Sequence, residues 1–446
     1  MSDTSIEAKR SIQLEMENST AGPSRIQNSA ADELSSPILK LNIDCFEELF
    51  EWLSLADLRS LRQTCKRMKQ AVDYFIKINY PAVKFGFGRI LIDTRILQYF
   101  GRLDPNKSKM IKRALVDAFD NPKDDIEMFK GIFPQLERLQ IRIYDFRGDL
   151  HELILKWCSN LKYLFIIETV DDLMGGDNEW LNRQYPTIEH FTVDDNDVLL
   201  SGMAGTFPGL KTFFELNPKI QIFSTTMQLL RKNCNYFLGS NIKINQLNVH
   251  GDCSAENGMD EVCGILNQLY EQEFHKRLHL FIDYIDNQTD MDRITSVRGM
   301  EKLYLNRVHL GTEATITPTP DLRELCIEDD EYFENWQSMA TNLVNIERIY
   351  FMQAKADVIA SFMRYAPKLK EIKVQYLLGG THFERGGVIN LSGLNKERKR
   401  LAGACKVTIY VDENVFLSTK FAKAKIEFSL VILKRVQAVD WTPGFQ

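Results

Sequence analysis

The chain has 446 residues, of which 44% are hydrophobic and 26% charged, and its formal net charge is −6. These fractions are those of ordinary globular proteins, and the acidic balance argues against a general nucleic-acid binder, which needs excess positive charge to meet phosphate. The length exceeds one ordinary hydrophobic core, so the chain fits either two or three domains or one elongated repeat array.

Residues 1–36 carry only scattered apolar side chains among Ser, Glu, Ala, Asn and Thr. Such a segment buries too little surface to offset the entropy lost on ordering, so we expect a disordered tail. Its first residues lack the apolar run of a secretory signal, and no later stretch approaches about eighteen uninterrupted apolar residues. We therefore expect an intracellular protein, in the cytoplasm, the nucleus or both, that has no membrane partner.

The stretch from Ile38 to Phe75 predicts a compact group of two or three helices. The first helix has acidic residues in its opening turns, where the helix dipole favours them, and an apolar stripe behind them. A second helix opens near Ser54 and Asp57, a capping-box variant, and continues with one apolar face. That face comprises Leu58, Leu61, Cys65, Met68, Val72 and Phe75. It forms either a private core or a docking face for a partner, and we favour the docking face.

This stretch resembles the F-box, whose pattern is matched at Leu41, Asp44, Leu49-Phe50, Leu53, Asp57-Leu58 and Cys65-Lys66-Arg67. The chain departs from the family at Asn42, Thr64 and Met68, where the family has Pro, Val and Trp. The resemblance implies a helical domain over residues 37–80 that binds a Skp-type adaptor and, through it, a cullin scaffold. It assigns adaptor binding to Leu41, Asn42, Cys45, Phe46, Leu49, Phe50, Leu53, Leu58, Cys65 and Met68.

A short apolar phrase, first seen as Pro134-Gln-Leu136-Glu-Arg-Leu139-Gln-Ile141, recurs along the rest of the chain. Its copies begin at Leu136, Leu161, Ile188 and Leu210, and again at Met300, Leu322, Ile346 and Leu369. Further copies are expected near Leu247 and Leu278. The copies within each group are spaced by 22 to 27 residues, which is the interval of leucine-rich repeats. Each phrase predicts a strand, and the intervening segments, such as Leu150–Cys158 and Val358–Tyr365, predict helices.

Residues 81–446 resemble the irregular leucine-rich repeats of F-box proteins. The fold class implied is α/β: a small N-terminal helical F-box followed by a horseshoe solenoid, with parallel strands on the concave side and helices on the convex side. An ordinary α/β sheet is the alternative, but it would not repeat the same phrase. We expect the array to be closed by a strand at Phe85–Asp93 and a polar-faced helix at Lys107–Phe119 on one side, and by strands at Val407–Val411 and Ile426–Ile432 on the other.

The sequence contains no phosphate-binding glycine loop and no nucleophile elbow. The eight cysteines are thinly spread without Cys-x-x-Cys spacing, so we expect reduced core residues, no metal and no cofactor. His275 and His279 fall around a strand-like run, where their spacing does not place them on one helix face. The basic run Lys396–Arg400 is expected to be a solvated helix face. We therefore expect a protein that is not an enzyme.

If the apolar residues of each phrase point into the core, the residues between them line the open face, because strand side chains alternate. Exposed aromatic residues and arginines are common anchors of protein interfaces. Our candidates for a substrate-binding face are Tyr163, Phe165, Phe214, Tyr304, Arg348 and Tyr350. Some of them could instead only pack against neighbouring strands.

The resemblance implies that this chain is the substrate-recognition adaptor of an SCF-type cullin-RING ubiquitin ligase, with the F-box binding the Skp adaptor and the repeats binding a substrate protein. The alternative is an F-box and leucine-rich-repeat scaffold without ligase-coupled activity, suggested by the departures at Asn42, Thr64 and Met68. If the chain is such a ligase subunit, introducing Pro at position 42 and Trp at position 68 should strengthen its binding to the Skp adaptor.

Overall fold

The structure is a computed structural model. It describes residues 41, 43–51, 53, 55–79, 82–87, 113–118, 131, 133–143, 150–168, 179–194, 209–251, 258–311, 314–329, 335–378, 387–423 and 425–436. The expected tail at residues 1–36 lies outside these residues. The chain divides into two compact units, the first comprising residues 1–142 with 153–161 and the second residues 143–152 with 162–446.

The first unit begins with three helices: α1 Ile43–Glu51, α2 Leu55–Arg62 and α3 Lys66–Asn79. The apolar face expected on one continuous second helix is therefore divided between α2 and α3. Between them the Thr64 hydroxyl and backbone N–H both donate to the Leu61 carbonyl, at 2.6 and 3.0 Å, and these bonds close a turn. The Cys65 sulfur accepts from the Met68 N–H at 3.4 Å and so caps the first turn of α3.

The first unit also contains strands β1 Ala82–Phe87, β2 Arg113–Ala118 and β3 Arg138–Ile143. β1 and β2 pair in parallel over their full length. The helix predicted over Lys107–Phe119 is therefore wrong at residues 113–118, because pairing with β1 gives them backbone partners outside their own segment. The rest of that predicted helix lies outside the described residues. The strand expected at Phe85–Asp93 begins earlier and is described only to Phe87.

The second unit holds a parallel sheet whose strands follow chain order, each paired with the next. Its strands are β4 Tyr163–Glu168, β5 His190–Asp194, β6 Ile222–Thr226, β7 Ile244–Gly251, β8 His275–Ile285, β9 Met300–Val308, β10 Glu324–Asp329, β11 Arg348–Lys355, β12 Glu371–Leu378, β13 Val407–Val411 and β14 Val431–Arg435. The structure thus confirms strands at the recurring phrases, except the one at Leu210. Each strand presents alternate side chains to a buried face, where leucine, isoleucine and phenylalanine lie in register.

Helices cover this buried face. They are α5 Leu210–Leu216, α6 Met227–Asn233, α7 Met259–Glu271, α8 Gln288–Thr295, α9 Trp336–Asn342, α10 Ala356–Tyr365, α11 Leu391–Arg400 and α12 Glu413–Lys423. Helix α4 Leu150–Leu155 has residues in each of the two units. Trp336 of α9 packs on Phe351 of β11 with ring centroids 5.6 Å apart, and Phe362 of α10 packs on the same ring at 5.9 Å. The strand face that carries Phe351 is therefore the helix-covered face.

Two phrases take other structures. Leu210–Leu216 is a helix rather than a strand, and its Phe213 packs on Phe191 of β5 at 4.6 Å. The last strand spans Val431–Arg435 instead of Ile426–Ile432, because residues 426–430 turn back on it. The Asn395 side chain of α11 fixes this turn by accepting from the Leu430 N–H at 3.0 Å.

Adjacent repeats are joined by a recurring backbone hydrogen-bond pattern. The Lys162 carbonyl accepts from the N–H groups of Glu189 and His190, both at 2.9 Å, where the next strand begins. The carbonyls of Glu189, Gln221, Arg323 and Glu347 accept two N–H groups in the same way. This arrangement fixes the register of each strand against the last, so outward side chains of successive strands meet in rows.

Near the end of the array, a buried arginine side chain donates hydrogen bonds to four backbone carbonyls. Arg398, expected to be solvated, is 0% exposed. Its guanidinium donates to the carbonyls of Ala366 at 2.6 Å, Pro367 at 2.8 Å, Leu369 at 2.9 Å and Cys405 at 3.0 Å. Burial lowers the pKa of Arg398, and these charge-assisted bonds offset the cost of burying it.

Candidate interaction surfaces

The three N-terminal helices enclose a small aromatic core. Phe50 of α1 is fully buried; its ring stacks with that of Phe46 at 5.6 Å and meets Phe75 of α3 edge-on at 5.4 Å. Leu58 and Met68 are also buried in this cluster. The apolar stripe therefore does form a core of its own.

This core corrects the predicted adaptor-binding set. Phe46, Phe50, Leu58 and Met68 lie beneath the surface, because each packs inside the helical cluster rather than facing solvent. In this structure they form the core beneath the helical surface, and the surface is made by other residues of the predicted set.

The other predicted adaptor residues lie nearer the surface. Cys45 and Leu49 of α1 are exposed, and the Leu49 side chain is 36% exposed. Leu41, Leu53 and Cys65 are half-buried and pack against the edge of the cluster. Asn42 lies outside the described residues. Among the described leucines of the predicted set, Leu49 is therefore the most exposed, as expected for a side chain that anchors a docked partner.

Arg67 is part of the F-box match but not of the predicted adaptor-binding set, and the structure gives it a role in holding the helices together. Its guanidinium donates to the Leu41 carbonyl at 3.1 Å and so ties the chain just ahead of α1 to α3. Arg62 of α2 forms an ion pair with Asp73 of α3. These contacts hold the three helices, and the exposed residues on α1, in one arrangement.

On the second unit, the outward face of the sheet is the face opposite the helices. Its side chains form two rows across the strands, defined by the parallel register. The first outward row is Phe165, Thr192, Ser224, Asn248, His279, Lys302, Glu324, Arg348, Glu371, Thr408 and Ile432. The second outward row is Thr226, His250, Phe281, Tyr304, Cys326, Tyr350, Lys373, Tyr410 and Lys434.

The first row changes character along the sheet. On β5 to β8 it is polar and mostly uncharged. Asn248 donates to the Ser224 hydroxyl at 2.8 Å, and that hydroxyl also lies 3.1 Å from His190 Nε2. Gln246, beside this row, donates to Asn248 Oδ1 at 2.8 Å and lies 3.1 Å from His279 Nδ1. This chain of hydrogen bonds makes one polar track over four strands.

On β9 to β12 the first row alternates in charge. Glu324 accepts Lys302 at 2.7 Å and Arg348 at 3.0 Å. Glu371 accepts the Tyr350 hydroxyl at 3.3 Å and lies 3.5 Å from Lys373 Nζ. Because the carboxylates bridge neighbouring strands, they hold the cationic and aromatic groups at fixed positions.

Burial sets the protonation of several groups on these rows. Burial, and after it the nearby Lys302 ammonium, lower the pKa of His279 to about 4. His279 is thus neutral at pH 7, and its 4.0 Å approach to Glu301 is a polar contact rather than an ion pair. Burial and then the Glu324 carboxylate raise the pKa of Tyr350, so its hydroxyl keeps the proton that it donates to Glu371.

Five of the six predicted substrate-binding residues lie on the outward face. Tyr163 is 39% exposed and meets His190 edge-on at 5.7 Å, and Arg348 is also exposed. Phe165, Tyr304 and Tyr350 are half-buried, because they also pack across the rows. Phe214 is a correction: it lies on helix α5, is buried, and packs against Phe223 at 5.1 Å.

The histidines and cysteines that could carry chemistry differ in how far they are buried. His275 and His279 both belong to strand β8, as expected, and His275 is buried. Burial raises the pKa of the Cys158 and Cys263 thiols to about 12, so both stay protonated at neutral pH. Cys45, in contrast, is exposed. Across the described residues, no group of three or more His, Cys, Asp or Glu side chains is arranged to hold a metal ion.

Residues 38–79 match the F-box domain family. This match confirms the F-box resemblance of the N-terminal helices and does not extend to the sheet of the second unit. A comparison with curated proteins returned no match. Among the described helices, none has the length and apolar content needed to cross a membrane.

Proposed function

We propose that this chain is the substrate-recognition subunit of an SCF-type cullin-RING ubiquitin ligase. In this proposal, the F-box binds a Skp-type adaptor, the adaptor joins it to a cullin, and the outward sheet face of the second unit captures a protein substrate. The observation that carries the proposal is the F-box match on helices that leave Leu49 at the surface.

The proposed chain is an adaptor and not a catalyst. Its part is to bring a substrate near the conjugating enzyme that the ligase recruits, so the chemistry of ubiquitin transfer lies in other subunits. The outward sheet face supports capture because it combines Tyr163, Tyr304 and Tyr350 with Arg348, residue types common at interface hot spots. The leucine-rich-repeat identity of this unit belongs to the same proposal, supported by the parallel strands in chain order and the repeat interval.

Affinity purification of the tagged chain from cells tests the proposal. We expect a Skp-type adaptor and a cullin to co-purify with the native chain. The Leu49→Glu variant should lose both, because a carboxylate replaces an apolar contact at the surface without entering the core. Leu417→Glu is the matched control, since Leu417 is also 36% exposed but lies on helix α12 of the second unit. Retention of the adaptor by Leu49→Glu, or its absence from the folded native chain, would contradict the proposal.

A scaffold that binds partners without directing ubiquitination is the second candidate. It is favoured by Thr64, which is exposed in the turn between α2 and α3 where the family has Val. Depletion of the chain separates the two functions. A ligase subunit should leave its bound partner longer-lived and less ubiquitinated when depleted, whereas a scaffold should leave both properties unchanged.

A further inference from the structure

We propose that the outward face of β11 to β14 binds an extended acidic segment of a partner protein, with carboxylates three residues apart. The inference rests on the proposed capture of a protein by the sheet face and adds the chemistry of what is captured. It is carried by four residues in direct register, one from each strand: Tyr350, Lys373, Tyr410 and Lys434.

Aromatic rings hold the two lysines of this row in place. The Lys373 ammonium lies 5.0 Å from the centroid of the Tyr350 ring and 5.7 Å from that of the Tyr410 ring. The Lys434 ammonium lies 5.9 Å from the Tyr410 ring. These cation–π contacts restrict the lysine side chains before a ligand arrives, so less conformational entropy is lost when an anion binds.

The charges of this part of the face are mainly positive. The two outward rows on β11 to β14 contain Arg348, Lys373 and Lys434 but one carboxylate, Glu371. Glu324 of β10 pairs with Arg348, and Glu371 is shared between Lys373 and the Tyr350 hydroxyl. The surplus positive charge therefore lies toward Lys434, which is exposed. On a chain of net charge −6, such a patch selects an anionic partner by charge complementarity.

The distance between the two lysines sets the distance between the carboxylates of the bound segment. Neighbouring strands lie about 4.8 Å apart, so Lys373 and Lys434, two strands apart, are separated by roughly 10 Å. In a polyproline II segment, residues i and i+3 lie on the same side about 9.3 Å apart. A partner segment that runs across the strands and has acidic residues at i and i+3 therefore places one carboxylate beside Lys373 and the other beside Lys434. The two residues between them then lie over the Tyr410 ring.

Fluorescence anisotropy with the purified full-length chain tests the inference. Three labelled peptides of equal length are compared: Glu-Pro-Pro repeats, the same composition with the glutamates adjacent, and Gln-Pro-Pro repeats. We expect the first peptide to bind about tenfold or more tightly than the others, and added salt to weaken its binding. Lys434→Glu should reduce that affinity about tenfold or more. Lys399→Glu, an exposed position on helix α11, should leave it unchanged.

Equal binding of the glutamine peptide or of the clustered glutamates would overturn the inference, as would the absence of binding to all three peptides. Unchanged affinity in Lys434→Glu would do so too. The anisotropy assay contains no adaptor, so its outcome is independent of the affinity purification. Loss of adaptor binding with retained peptide binding would refute the ligase role alone, and the reverse result would refute the acidic-segment inference alone.

Discussion

At the scale of single residues, burial decides which sequence expectations hold. Met68, where the F-box family has Trp, is 2% exposed and packs with Phe46, Phe50 and Leu58. Restoration of Trp there was expected to strengthen adaptor binding, on the assumption that position 68 faces a partner. The structure places position 68 in the core instead, where a larger side chain forces its neighbours to move.

We predict that Met68→Trp lowers the free energy of unfolding of the helical cluster by about 1–3 kcal/mol, as overpacked cores do. Thr64→Val removes the exposed hydroxyl bond to Leu61 but keeps the backbone bond, so it should lower the free energy of unfolding by about 1 kcal/mol or less. Thermal unfolding followed by circular dichroism distinguishes the two variants. A melting temperature for Met68→Trp at or above that of the native chain would show that the core has room for the larger ring.

His275 makes stability depend on pH. Burial lowers its pKa from 6.5 to about 4, so between these values the unfolded chain binds a proton that the folded chain excludes. The contribution of neutral His275 is fully present above pH 6.5 and is lost as the pH falls toward 4, a change of roughly 3 kcal/mol. His279, whose pKa is also lowered to about 4, adds in the same direction.

Urea unfolding at several pH values between 4 and 7 measures this effect. His275→Phe should flatten the fall in stability over that range, because it removes a buried histidine whose lowered pKa keeps it neutral in the folded chain. Phe274→Leu, a change at the neighbouring buried position, should lower stability by a similar amount at every pH. A slope in His275→Phe as steep as in the native chain would argue that His275 is protonated in the folded state.

At the scale of elements, most strands were predictable because the recurring apolar phrase at each strand contains three apolar residues, the last two of which are two positions apart. Leu136 and Leu139 are followed by Ile141, two positions further on, which fits alternation along a strand. In the phrase that became helix α5, Leu210 and Phe213 are followed by Glu215. Spacing of three alone fits a helix as well as a strand. The missing third residue was therefore the signal that this copy is helical.

Other elements could not be predicted from local pattern. Residues 426–432 alternate strictly, yet the strand begins at Val431, because the Asn395 side chain binds the Leu430 backbone and turns the chain. Likewise, the basic run of α11 gave no sign that Arg398 is buried. Both features depend on partners distant in sequence, which periodicity does not register.

We predict that Arg398→Met lowers the free energy of unfolding by about 3 kcal/mol or more, because four buried carbonyls lose their charged donor. Arg400→Met is the matched control on the same helix, where the side chain is exposed and pairs with Glu397. Its effect should stay within about 0.5 kcal/mol. Urea unfolding monitored by tryptophan fluorescence compares the two, and similar losses in both variants would show that the buried hydrogen bonds contribute little.

At the scale of the whole molecule, the two units carry different kinds of surface. The helical cluster has a closed aromatic core with Leu49 exposed, whereas the outward sheet face is ordered by rows of polar, charged and aromatic side chains. The sequence predicted the order of these parts and the strand period. It did not predict the row register or which aromatic residues are exposed, since both depend on hydrogen bonds between repeats.

The central claim is that one chain binds an adaptor through residues 38–79 and a different protein through its outward sheet face. Cross-linking mass spectrometry of the complex purified from cells tests it most directly. We predict adaptor cross-links at Lys66 and Lys69 of helix α3, and cross-links to another protein at Lys373 and Lys434 of the sheet. Adaptor cross-links at the sheet lysines but not at α3, or a single partner at both sites, would contradict the account.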